Sequence, residues 1–330
     1  LDAYALIYRS YYAFIKNPRI NSKGLNTSAI TGFVNTLQEV IEKEQPKYLG
    51  VAFDPHGPTF RSDKFPAYKA QREATPEDIK KAVPIIKELL AAYRIPVLQV
   101  DGFEADDVIG TLAKKADSID GVQTFMLTPD KDYGQLVTDR VSIYRPRHGG
   151  GYEVMGPKEV CDKYGITTPL QVIDLLALMG DSADNFPGCP GVGEKTATKL
   201  INDFNSVDEL LQRTEELKGA LKKKVEEHVE DIRMSYFLAT ICTEVPIELN
   251  LDDLTLQSPD EEKLTALFTE LEFKALTNRV LKKVEKKPKT DNTQLDLFAE
   301  FAPNDAGDSK FSSFEIARSE ERRVGKECRS

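Results

Sequence analysis

The chain has 330 residues, 40% apolar and 30% charged, with a formal net charge of −10. That length suits two domains with sizeable cores. No apolar run reaches the roughly 20 residues that span a bilayer, and no secretory signal pattern stands out, so a cytoplasmic protein is expected and a membrane role is not. Four cysteines (Cys161, Cys189, Cys242, Cys328) and three histidines (His56, His148, His228) lie far apart. Their spacing speaks against a zinc site, a disulfide framework and a Ser-His-Asp triad.

In chain order, the sequence opens on Leu1-Asp2 as though a strand had been cut off upstream. Short apolar runs predict strands at 48–53, 97–100, 123–127 and 141–144, and helical patterns fall at 31–44, 76–93 and 105–116. Such alternation predicts an α/β core over 1–155 with a mainly parallel sheet and flanking helices. From 156 to 285 the pattern turns almost wholly helical, which predicts a second, helical domain. Residues 286–317, rich in Lys, Pro, Asp, Asn, Ser and Thr, read as a flexible linker. Residues 318–330, RSEERRVGKECRS, resemble the translation of a sequencing adaptor and are assigned no function.

Acid follows the predicted strands. Asp2 follows the first; Asp54 the second; Glu104, Asp106 and Asp107 the third; Asp130 and Asp132 the fourth. Asp181 and Asp184 open the helical half. In open α/β sheets the carboxyl ends of the strands form the ligand crevice, so topology aims these side chains at one place. Nine carboxylates together repel unless cations are present. An all-oxygen set suits Mg²⁺ or Mn²⁺ rather than Zn²⁺, and so many donors suit two ions, roughly 4 Å apart, clamping a phosphodiester. Any single one of these acids is more simply a helix cap or a surface loop residue; the set and its spacings carry the functional reading. Setting the nine aside takes the formal charge from −10 to −1, so acidity no longer argues against a nucleic-acid substrate.

Two further features point to phosphate. Arg61, Lys64, Lys69 and Arg72 interleave with Phe60, Phe65 and Tyr68, a pattern that offers phosphate contacts and stacking surfaces; read alone, a solvated helix accounts for it equally well. Gly188, Gly191 and Gly193 precede helix signals at Glu194, Lys195, Thr196, Ala197, Lys199 and Leu200. A glycine turn opening a helix presents free N–H groups to an anion. It is neither a Walker A loop, since Glu194 separates Gly193 from Lys195, nor G-x-G-x-x-G. A hairpin that grips a DNA backbone without reading sequence remains, against an ordinary helix–turn–helix connection.

The strings LDAYALIYRSYYAF, FDPHGPTFRSDKFPAYKAQR, GFEADDVIGTLA, LTPDKDYGQLV and MGDSADNFPGCPGVGEKTATKL resemble, in order from Leu1 to about Val284, the 5′-nuclease domain of bacterial DNA polymerase I, a branch of the flap endonuclease superfamily. The resemblance implies a PIN-like nuclease core with a helical arch at about 60–93, then a helical domain with a helix–three-turn–helix DNA grip. It implies a first metal site at Asp2, Asp54, Glu104 and Asp106, and a second at Asp107, Asp130, Asp132, Asp181 and Asp184. Tyr68, Lys69 and Arg72 would steer the 5′ strand and the scissile phosphate, with Arg9 near the cleft. Arg61 and Lys64 would touch DNA, as would Gly188, Gly191, Gly193, Lys195, Thr196 and Lys199 at the turn, which could also hold K⁺. The implied activity is 5′-3′ exonuclease and 5′-flap endonuclease cleavage at flaps, nicks and RNA primers on duplex DNA in replication and repair. The implied setting is a monomer associated with the bacterial nucleoid, as part of a DNA polymerase I.

Two other classes stay open at this stage. A DNA-binding module without catalysis is disfavoured because all nine acidic positions are filled. A metal-dependent ribonuclease of related fold is disfavoured by the basic insertion and the glycine turn. A standalone 5′-nuclease, or a fragment impaired by its missing first strand, is the nearer alternative. Finally, Gln294, Leu295, Leu297 and Phe298 resemble the peptide by which bacterial replication proteins dock on the sliding clamp. A chance apolar patch is the simpler account of that segment.

Overall fold

The computed structural model describes residues 1–147 and 151–284. His148, the linker, the Gln294–Phe298 motif and the adaptor-like tail lie outside the described residues. The first part of the chain runs α1 (Ala3–Ala13), α2 (Ser28–Lys43), β1 (Val51–Ala52), α3 (Phe60–Lys64), α4 (Glu77–Ala92), β2 (Val97–Leu98), α5 (Ala105–Asp117), β3 (Thr124–Leu127), β4 (Val141–Pro146) and β5 (Tyr152–Met155). Helices follow: α6 (Pro157–Tyr164), α7 (Val172–Met179), α8 (Glu194–Phe204), α9 (Val207–Gln212), α10 (Gly219–Glu227), α11 (Val229–Ala239), α12 (Glu261–Glu270) and α13 (Lys274–Val284). Among the described residues, no helix is long and apolar enough to cross a membrane.

β1 pairs parallel with β2, β3 pairs parallel with β4, and β5 closes antiparallel on β4. Leu1 and Asp2 lie between the two groups. The Ala52 N–H donates to the Leu1 carbonyl (2.8 Å), and the Asp2 N–H donates to the Leu127 carbonyl (3.1 Å). The spatial order is therefore β2–β1–(Leu1-Asp2)–β3–β4–β5. Successive strand residues point to opposite faces. Val51, Phe53, Leu127 and Tyr144 join one core with α1, α2 and α4; Ala52, Met126 and Ile143 join the other with α5, α7, α8 and α11. Helix α1 buries Ala3, Leu6, Ile7 and Ser10, a single 3.6-period stripe. It crosses α2 closely at Gly32, where a Cβ would meet the Ser10 Cβ at 2.5 Å.

Three expectations are modified. The predicted sheet lacked β5, a four-residue run interrupted by Glu153 and too short to stand out. The 60–93 insertion is not one arch: α3 and the turns over 66–72 lie beside the acids, whereas Ile79, Ala82, Val83, Ile86, Leu89 and Leu90 give α4 an apolar stripe buried in the core it shares with α1, α2 and α12. The 156–285 segment is not one helical body either. The Asp260 N–H donates to the Ala92 carbonyl (2.7 Å), and Leu264, Phe268, Leu271, Phe273, Leu276 and Val280 pack in the same core as α4.

A cavity of about 430 Å³ lies beside Leu1, between β1 and β3, lined by apolar side chains that include Leu98, Ile109, Met126 and Leu254.

Candidate metal and nucleic-acid site

The acids gather at one end of the sheet because each caps or follows an element that ends there. Asp2 is the N-cap of α1: one carboxylate oxygen accepts from the Ala5 N–H (3.1 Å). The other accepts from the Thr128 and Tyr133 hydroxyls, both at 3.2 Å. Burial, then the negative charge of Asp54, raises its pKa to about 6. Asp54 follows β1 and accepts from the Ala105 N–H at the start of α5 (2.8 Å); burial raises it too. Glu104 is the N-cap of α5. Burial alone would raise its pKa, but Lys69 at 2.9 Å and Arg61 at 3.3 Å hold it below the usual range. Burial, against the pull of Arg61, pushes Asp106 well above its ordinary value.

The remaining acids lie on two facing loops. Asp130 Oδ1 accepts from the Asp132 N–H (3.0 Å). Asp132 has a buried Oδ1 with no hydrogen-bond partner, and burial followed by the charge of Asp130 raises its pKa to about 8. Asp181 accepts from Lys131 (2.6 Å), which overcomes the effect of burial and lowers its pKa. Asp184 pairs with Arg72. Among the described residues, no three carboxylates converge closely enough to cage an ion unaided. The donor chemistry nevertheless fits hard cations. The set is all oxygen, one buried acceptor is orphaned, and burial together with neighbouring negative charge raises the pKa of Asp2, Asp106, Asp130 and Asp132. Mg²⁺ in particular keeps several waters and needs only one or two carboxylates.

The basic loop docks onto this cluster. Lys69 takes a left-handed backbone (φ +56°), its N–H donates to the Asp184 carbonyl (3.0 Å), and its ammonium sits on Glu104. The Asn185 amide donates to the Ala67 carbonyl (2.7 Å). Lys69 and Arg72 thus face one side from a turn rather than from the helix their spacing suggested. Tyr68 is buried, stacked on Phe186 with centroids 6.0 Å apart, and its hydroxyl donates to Glu104 (2.8 Å). Lys64 is exposed. Arg9 is exposed and donates to the Arg147 carbonyl (3.2 Å) rather than to an acid.

Arg61 and Asp107 depart from expectation. Arg61 is 1% exposed and Asp107 0%; they bind each other, so neither faces the cleft as a phosphate contact or a metal ligand would. A long cationic side chain read from sequence looks solvent-bound, and nothing local signals its buried partner 46 residues away.

The glycine turn lies on the same loop as Asp181 and Asp184. Gly188 has φ +59°, and a Cβ there would meet the Gly180 backbone nitrogen at 2.4 Å. Gly193 is the N-cap of α8. Lys195 and Lys199 are exposed, one helical turn apart, and Thr196 is half-buried. Lys224, from α10, lies against Gly191. Sequence reasoning missed Lys224, for want of any local signal, and Lys131, which its place between Asp130 and Asp132 could have flagged.

Residues 1–165 match the model of the 5′-3′ exonuclease N-terminal resolvase-like domain, and residues 167–262 that of the 5′-3′ exonuclease C-terminal SAM fold. The chain is 39% identical to the 5′-3′ exonuclease of Aquifex aeolicus, over 85% of this chain and 93% of that protein. It is 43% identical to DNA polymerase I of Bacillus subtilis over 85% of its own length but only 32% of the polymerase's, so it spans about a third of that relative. The bacteriophage T5 D15 flap endonuclease, solved with DNA and metal ions, shares the fold at a TM-score of 0.61 and 19% identity, over 86% of this chain and 98% of that one. The acids at the strand ends, the basic loop and the glycine turn thus sit in a chain that belongs to the 5′-3′ exonuclease family and spans both of its domains.

Proposed function

We propose that this exonuclease hydrolyses phosphodiesters at 5′ ends and flaps on duplex DNA, at nicks and RNA primers, with two divalent ions, Mg²⁺ or Mn²⁺. The observation that carries the reading is the gathering of Asp2, Asp54, Glu104 and Asp106 beside Asp130, Asp132, Asp181 and Asp184, with Lys69, Arg72 and Lys131 laid over them. Bound ions would neutralise the cluster and supply Lewis-acid polarisation of the phosphate. Lys69 and Arg72 lie on the acids as ion pairs: turned from Glu104 and Asp184 to phosphate oxygens, they would offset charge that develops as the 3′ oxygen leaves. Tyr68 fixes the loop that carries them. The turn through Gly188, Gly191 and Gly193, with Lys195, Thr196 and Lys199, would hold the duplex backbone without reading sequence, as a helix–three-turn–helix grip with K⁺ at the turn.

The B. subtilis match supports a role within a DNA polymerase I in bacterial replication and repair. The coverage of the A. aeolicus protein supports a standalone nuclease. A monomer in the cytoplasm and clamp docking through 294–298 complete the proposal.

The test is cleavage of a 5′-labelled flap duplex with Mg²⁺, with and without chelator, for wild type and Asp130→Ala. Metal-dependent flap release is expected, lost in the variant while DNA binding persists. Equal cleavage by both proteins would overturn the assignment.

A further inference from the structure

Arg61 and Asp107 are a closed pair. The guanidinium has five N–H donors, and all five are used. Nε donates to the Leu238 carbonyl (3.0 Å) and Nη2 to the Thr240 carbonyl (2.9 Å). Nη1 and Nη2 fork onto the two oxygens of Asp107 (2.8 and 2.7 Å), and Nη1 also reaches Glu104 Oε2 (3.3 Å). Asp107 is equally full. Besides Arg61, its oxygens accept the Cys242 N–H (2.8 Å) and the Glu104 N–H (3.0 Å). Neither group has capacity left for a phosphate or a metal ion.

We propose that Arg61 and Asp107 are positioning residues: a buried clasp that sets Glu104 at the start of α5 and fastens it to the end of α11. The inference rests on Glu104 holding a cation. The clasp grips Glu104 twice, through its side chain and through its backbone N–H. Its other hold is on residues 238–242, where α11 ends. The same helix carries Ser235, fully buried, whose hydroxyl accepts from the Gly188 N–H (2.8 Å). One rigid element therefore joins the glycine turn to the carboxylates. Duplex held at the turn is thereby placed at a set distance from Glu104. A bidentate fork is what the geometry requires, and lysine cannot supply it.

The test uses the full chain with Arg61→Lys and Asp107→Asn. Mn²⁺ affinity is measured without DNA by electron paramagnetic resonance. Flap cleavage is measured across Mg²⁺ concentrations, and circular dichroism reports folding. Arg61→Lys keeps the buried charge and is expected to fold. It should weaken Mn²⁺ binding and lower kcat by about 10–100-fold, leave KM for DNA unchanged, and regain rate at high Mg²⁺. A raised KM with unaltered Mn²⁺ affinity would make Arg61 a DNA contact and overturn the proposal. A lowered melting temperature alone, with Mn²⁺ affinity and kcat intact, would overturn it in favour of plain core packing. Should Arg61→Lys not fold, Asp107→Asn carries the same measurements and the same outcomes. Wild type that fails to bind Mn²⁺ would sink the cation role of Glu104 itself. Wild type that binds it equally with the variant would sink the clasp alone.

Discussion

Asp132 shows how far the site is from electrostatic rest. Its buried oxygen lacks a partner, and its pKa stands at about 8 against an ordinary 3.8. Asp2 stands at about 6. A carboxyl raised on folding binds more protons folded than unfolded between its two pKa values, so stability falls as pH rises through that interval. In chelator, melting temperature should therefore fall from about pH 4 to about 6. From about pH 6 to about 8 Asp132 continues the fall. Thermal melts across pH 4–8 test this, and Asp132→Asn should shallow the slope and raise the melting temperature in chelator by a few degrees. A flat profile in wild type would show that the acids are solvated. Mg²⁺ should lift the melting temperature most at the high-pH end, where the acids are charged.

At the scale of elements, the glycine turn separates a requirement of the fold from one of binding. Gly188 is left-handed and pressed on the Gly180 backbone. Gly188→Ala should cost at least about 2 kcal/mol, read from denaturant unfolding. Gly193 has an extended backbone with open space where a Cβ would go. Gly193→Ala should cost under about 1 kcal/mol yet weaken duplex affinity, because in the grip proposed above a methyl group would stand where the DNA backbone approaches. Equal effects of the two on stability would remove the distinction. Helix α4 teaches the complementary lesson. Its charged N-terminal turn looks like part of a basic insertion, while its buried stripe makes it a core helix.

For the whole molecule, Leu1 and Asp2 join the two strand groups at the centre of the sheet. Leu1 and Asp2 hold β1 to β3, beside a cavity of about 430 Å³, and the Leu1 nitrogen donates to the Gly50 carbonyl (3.0 Å). A run of a few apolar residues ahead of Leu1 would continue the pairing and fill the cavity. It should raise the melting temperature by at least about 4 °C and tighten metal binding at the site proposed to include Asp2. No gain in either would mean that the neighbouring side chains already close the gap.

Much of this was legible in the sequence, for physical reasons. Helices α2, α4 and α5 and strands β1 to β4 announce themselves through periodicity, since burial of one face imposes the period. The acids at strand ends, the basic loop and the glycine turn are local signals whose chemistry survives without coordinates. What only the tertiary structure decided is which charges face the cleft. Arg61 and Asp107 have the composition of ligands and the surroundings of core, and the backbone carbonyls that saturate Arg61 come from 177 and 179 residues away. The same holds for α12 and α13, whose apolar stripes fit any core and find the one beside α4 only when the chain returns to it. Residue type and spacing determine what a side chain can do; the partners that reach it across the fold determine whether it is free to do it.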